Sequence, residues 1–164
     1  MPLTRPKNIL TANLSGTVPV ANAPTGSIVQ VKHLRFTDTS LTISAPSATD
    51  ISGFSLSITP TSASNDILIV LHCSCHLNCD GRIGIKRNGT AVTEYIIGTA
   101  RVDGQDDIGT FSGTYRDSPN STSAVTYQVI ARATGCTSGV YINKSISGST
   151  DNGRSGLLLM EVKG

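Results

Sequence analysis

The sequence predicts an all-β protein, an antiparallel β-sandwich of jelly-roll-like form with an extended N-terminal arm. Three observations lead there. Between Ser52 and Leu77, Phe54, Leu56 and Ile58 alternate with Ser55, Ser57 and Thr59, a polar turn runs from Pro60 to Asp66, and a long run follows from Ile67. Period-2 alternation marks half-buried strands, so the stretch reads as a hairpin of a short and a long strand. Asn88-Gly89, between Arg82–Arg87 and Thr90–Ile97, suits the type I′ turn of a two-residue hairpin. Finally, no segment carries a sustained, capped 3.6-residue period, so little helix is expected.

Composition agrees with that class. The 164 residues suffice for one domain with a real core plus an arm. With 15% charged residues, 4% aromatics, no Trp and abundant Gly, Ser and Thr, the chain suits short strands joined by many turns. A formal charge of +2 offers no broad basic field for nucleic acid and no polybasic patch for a membrane surface. Neither is expected as a partner, and the longest apolar run, Ile67–Leu71, is too short to span a bilayer. No apolar h-region follows Met1–Leu10, so the chain reads as folded in a cytosol. There Cys73, Cys75, Cys79 and Cys136 are expected as free thiols.

Residues 1–26 form the expected arm. Prolines at 2, 6, 19 and 24 punctuate it, and Ile9, Leu10, Leu14, Val18 and Val20 stand isolated among Thr, Asn, Ser and Gly. Such a segment cannot fold alone, yet it is too apolar for a plain spacer. It reads as an assembly arm laid on another subunit or a neighbouring protein, each fully covered side chain contributing about 1.5–3 kcal/mol. A mobile tail is the plainer alternative.

Residues 27–164 form the expected sandwich, with strands near 27–37, 41–44, 52–59, 66–78, 81–87, 91–97, 108–115, 124–133, 139–146 and 156–162. The polar loops 101–107 and 117–123 are expected at the surface. In the first, Asp103, Gln105, Asp106 and Asp107 make a candidate outward loop. Its spacing departs from an EF-hand, and a solvated turn explains it better than a calcium site. The last strand is apolar at every position from Leu157 to Met160, so both its faces should be covered, by the domain itself or by another subunit. That favours an oligomer.

His72-Cys73-Ser74-Cys75-His76-Leu77-Asn78-Cys79 resembles a metal motif by content only. On a strand, Cys73 and Cys75 continue the row of Ile67, Ile69 and Leu71, whereas His72 and His76 fall on the opposite face with Leu68, Val70 and Ser74. Core thiols are therefore expected; a metal shared about a symmetry axis by His72 or His76 is the alternative. None of the histidines at 33, 72 and 76 neighbours a nucleophile elbow or phosphate loop. No catalytic residue, metal or cofactor is assigned. The Asn-x-Ser/Thr sequons at Asn13, Asn88, Asn120 and Asn143 read as accidents of a Ser/Thr-rich chain.

Five stretches carry a resemblance: Gly26-Ser-Ile-Val-Gln-Val31; Ser52–Val70; Asp117-Ser-Pro-Asn-Ser-Thr-Ser-Ala-Val-Thr-Tyr-Gln-Val129; Val140-Tyr-Ile-Asn-Lys-Ser145; and the closing Leu-Met-Glu-Val-Lys-Gly164. Together they resemble the β-rich domain of virion proteins from marine and cyanobacterial tailed phages, often of the tail-fibre type. Thr11–Val20 is similar to the connecting segments that precede such domains. The resemblance implies a non-enzymatic virion protein on the particle exterior, assembled in the host cytoplasm. Its implied partners are two further copies in a homotrimer, capsid or tail proteins held through the arm, and a host-surface glycan. The short chain points to a small fibre-like appendage. A capsid decoration protein and a polysaccharide-binding or depolymerising module are the alternatives.

Overall fold

The computed structural model describes residues 20–77, 80–92, 108–134, 139–145 and 153–164. After a 3-10 turn at Val20–Asn22, the strands in chain order are β1 (Ile28–Phe36), β2 (Thr42–Ile43), β3 (Thr49–Ile58), β4 (Asp66–Leu77), β5 (Asp80–Arg87), β6 (Thr90–Ala91), β7 (Gly109–Asp117), β8 (Val125–Thr134), β9 (Val140–Ile142) and β10 (Ser155–Val162). There is no α-helix among the described residues. The chain is an antiparallel β-sandwich, as the alternation predicts. One sheet runs β1-β10-β4-β9-β2 with β7 on the other edge of β4, and the other runs β3-β8-β5-β6.

The rows that face each other fill the core. From β4 come Ile67, Ile69, Leu71, Cys73 and Cys75, and from β10 Leu157 and Leu159; opposite them lie Ile83 and Ile85 of β5 and Val125, Tyr127, Val129 and Ala131 of β8. Both thiols thus extend the apolar row of β4 and are free. Hydrogen bonding between them, together with burial, raises the Cys75 thiol well above its ordinary range. Cys79 and Cys136 lie outside the described residues.

One expectation is corrected. The stretch from Ser52 to Leu77 is not a hairpin: β3 pairs with β8 and β4 with β10 and β7, so the turn after Ile58 carries the chain from one sheet to the other. Alternation fixes which side of a strand is buried and leaves its partner open. The pairs that do form are nested: β1 with β10, β3 with β8, β4 with β7, and β5 with β6 at the tip. At that tip Asn88 and Gly89 both have positive φ, 47° and 88°, as a type I′ turn requires. The paired part of β6 is Thr90–Ala91, shorter than the expected 91–97; residues 93–97 lie outside the described ones.

The sequons also gain a meaning. Asn88, Asn120 and Asn143 are the non-Gly residues with positive φ among the described residues. Asn tolerates this left-handed backbone because its short side chain bonds locally. Asn143 is fully buried and cannot accept a glycan in the folded chain. Its Nδ2 donates to the carbonyls of Phe36 and Asp38, each at 3.1 Å, and its Oδ1 accepts from Ser155 Oγ at 2.7 Å. It thereby ties the end of β1 to the start of β10.

Strand β3 begins earlier than expected because it is bulged. Between Asp50 and Ser55 its register on β8 slips, with Gly53 at φ 75°. Gln128 Nε2 donates to the carbonyls of Ile51 and Phe54 there, at 2.8 and 3.2 Å, satisfying groups the ladder misses. Gly53→Ala forces an L side chain into that left-handed backbone, and we expect a loss of about 1–2 kcal/mol, read as a lower urea midpoint at unchanged m-value.

Candidate functional site

The two outer faces differ in chemistry. On the four-strand sheet the outward residues are polar: Ser55, Ser57, Arg82, Lys86, Thr126, Gln128 and Arg132, with Ile130 tucked among them. On the six-strand sheet the outward rows of β1, β10 and β4 carry Ile28 and Val31, Leu158 and Met160, and Leu68 and Val70. Ile28 and Val31 are each 54% exposed. The expectation for the last strand therefore resolves by face. Leu157 and Leu159 are core, and Leu158 and Met160 are half-buried in this outer band.

Along the strands the band changes character. Toward the ends of the chain it is aliphatic, around Val31, Met160 and Leu68. Further along it opens into a cleft of about 410 Å³, lined by His33 and Arg35 of β1, Val70 and His72 of β4, and Arg154, Ser155, Gly156 and Leu158 at the start of β10. The spacing follows from register. His33 stands beside Leu158 and Arg35 beside Gly156, which in turn faces His72 across β10 and β4. Because Gly156 carries no side chain the floor is low; a Cβ there would lie 3.6 Å from His33 Nε2.

Buried polar groups hold the β10 wall of this cleft. Ser74 Oγ donates to the Arg154 carbonyl at 2.8 Å, Ser155 Oγ accepts from Ser74 N at 3.0 Å, and Ser155 in turn donates to Asn143. His72 stands outward between the hydroxyls of Ser74, at 3.5 Å from Nε2, and Ser112, at 3.4 Å from Nδ1. His76, on the same row, is buried edge-on to Tyr141. The thiols and the imidazoles occupy opposite faces, and no group of three metal-ligating side chains occurs among the described residues.

The opposite arrangement holds at the pole where the two ends of the described chain meet. Gly26 N donates to the Lys163 carbonyl at 2.8 Å, Lys163 N to Ser27 O at 2.9 Å, and Lys163 Nζ to the carbonyls of Ala21 and Ala23 at 2.9 and 2.6 Å. Glu161, fully buried, accepts from Thr61 N, Thr61 Oγ1, Asn65 Nδ2 and Gln30 Nε2 at 2.6, 2.8, 2.7 and 3.2 Å. Asp66 is held by Ser118 and Arg116, and Asp117 accepts from Arg87 and from Tyr127 Oη at 2.6 Å. Burial and that carboxylate push the Tyr127 phenol far above its ordinary range.

Of the residues singled out in the sequence, Ile9, Leu10, Leu14 and Val18 lie outside the described residues, as do Asp103, Gln105, Asp106 and Asp107. Val20 opens the 3-10 turn. The cleft is not legible in the sequence alone. Its signal was present in the outward positions Val31, His33 and Arg35, but linking them to His72 and Arg154 needs the pairing of β1, β10 and β4. No family model matches the chain, and no curated protein matches it either.

Proposed function

We propose that this chain is a non-enzymatic structural protein of a phage particle, a small appendage on the virion exterior that is anchored by its N-terminal arm. The observation that carries this reading is the polarity of the sandwich. Residues 21–27 are bonded to Lys163, so whatever precedes them departs from the pole of Glu161 and Thr61. The described residues that flank loops at the other ends of the strands, among them Ile108, Thr134, Gly139 and Ser145, lie near the far end of β4, where Cys75 pairs with Gly109 and Leu77 with Val140. From Asp66 to Leu77 the strand spans roughly 36 Å. A body whose first and last described stretches are bonded together at one pole can be held there and display the other pole at a surface.

The nested pairing supports a jelly roll as the finer description of the fold. With the short β2 and β9 set aside, it is a single long hairpin rolled so that alternate pairs fall in opposite sheets. The aliphatic part of the outer band, with Ile28 and Val31 exposed, supplies a face for the homotrimer. The same patch favours capsid decoration as the second reading, since it could rest on a shell.

Removal of residues 1–19 tests the anchoring. We expect the truncated chain to keep its thermal midpoint and to be lost from particles on sedimentation; a truncated chain that sediments with particles overturns it. Sedimentation equilibrium of the full chain tests the trimer, and a monomer at micromolar concentration overturns that part.

A further inference from the structure

We propose that the cleft on the outer face of the six-strand sheet binds a carboxylate-bearing sugar, a uronate unit of an acidic polysaccharide. The cleft is lined by two arginines, Arg35 and Arg154, and two histidines, His33 and His72, and no Asp or Glu among the described residues lines it. Among the described residues neither arginine is paired with a carboxylate. Arg154 Nη1 donates only to the neighbouring Gly153 carbonyl, at 3.2 Å. By contrast, Arg87 and Arg116 at the arm pole are each engaged by an aspartate. Two arginines on one recess, neither paired with a carboxylate among the described residues, offer fork-shaped donors to a bidentate anion.

The remaining lining selects among anions. Val70 and Leu158 form an aliphatic floor beside Gly156, which a bare, strongly hydrated phosphate would not use but the C–H face of a pyranose covers well. The volume of about 410 Å³ exceeds what a small inorganic ion fills and accommodates one or two sugar rings. A two-fold contact with a second copy through the cleft would set His33 and Arg35 near their own counterparts, and the contact proposed for the homotrimer uses the aliphatic part of the band around Val31, Met160 and Leu68 instead. A net charge of only +2 does not suit nucleic acid, whose binding needs many phosphate contacts. The site is prepared from behind: the Ser74, Ser155 and Asn143 bonds fix the backbone that carries Arg154, so little ordering is required when the ligand arrives.

The site gives the appendage its recognition step, and it rests on the proposed role only for a host polysaccharide as the natural source. The test uses the full chain in solution, titrated calorimetrically with tetragalacturonate and with the carboxyl-reduced tetramer of the same linkage. We expect the uronate to bind and the reduced tetramer to bind at least about tenfold more weakly. Arg35→Ala should lose about tenfold, and Arg35→Lys should recover only part, since charge returns without the fork. Gly156→Val should weaken binding at unchanged charge by filling the floor. Equal binding of the two tetramers, no binding of the uronate, an unaffected Arg35→Ala variant, or displacement by equimolar inorganic phosphate would overturn the proposal. Arg35 is exposed, so its substitution leaves the fold intact. Particle sedimentation addresses only the anchoring, so the cleft and the arm fail separately.

Discussion

Glu161→Ala is expected to destabilise the sandwich by about 3–5 kcal/mol, a large part of the total stability of a domain. The carboxylate is fully buried and, among the described residues, is held by uncharged donors alone: Thr61 through both its amide and its hydroxyl, Asn65 and Gln30. Truncation takes the acceptor from the Thr61 N–H and leaves the nearly buried Asn65 amide with only its 3.2 Å bond to Thr61 Oγ1, in the crossover that carries the chain between sheets. Glu161→Gln keeps the shape but turns an amide toward donors, and should cost about half as much. Urea denaturation of the three proteins measures this.

The same residue gives a pH dependence. Burial alone would raise the Glu161 carboxyl, but the hydrogen bonds from Asn65, Thr61 and Gln30 outweigh it and hold the group below its ordinary 4.5. Asp66 is likewise held below 3.8, by Ser118 first and Arg116 second. A depressed folded-state value means that the unfolded chain binds protons first. The stabilisation is therefore complete above about pH 4.5 and is lost as pH falls through the folded-state values. Glu161→Gln removes the glutamate's share, so its stability should fall less steeply on acidification; parallel acid limbs in the two proteins would refute this.

Phe54→Ala should cost about 3–5 kcal/mol and lower the thermal midpoint by roughly 10 °C or more. Phe54 is fully buried and stacks on Phe36 with ring centroids 4.5 Å apart and planes within 3°. That stack joins the end of β1 in one sheet to the bulge of β3 in the other, where a Cβ on Gly53 would lie 3.6 Å from the Phe36 ring. A cavity there cannot close without moving the bulge. Phe54→Leu should recover about half the loss. A midpoint within 2–3 °C of the parent would show that the stack is not part of the cooperative core.

Much of this architecture could be read from residue order. The inward row from Ile67 to Cys75, the Asn88-Gly89 turn and most strand positions follow from alternation and turn chemistry, which are local. Pairing is not local, and so β3 and β4 looked like a hairpin although the polar turn between them spans two layers. Glu161 was also opaque: next to Met160 and Val162 it resembles any outward acid, and only the crossover folded over it explains its burial. The cleft was hidden for the same reason as the pairing, because its four cationic or imidazole side chains come from β1, from β4 and from the residue that precedes β10.

The last of the described strands, β10, lies inside its sheet, between β1 and β4. Until residue 162 leaves the ribosome, β1 has no hydrogen-bonded neighbour and the apolar row of β4 lacks Leu157 and Leu159 beside it. The tip hairpin can close early, being local, whereas the outermost pair must wait for contacts more than a hundred residues apart. The six-strand sheet therefore closes only once β10 has been laid between β1 and β4.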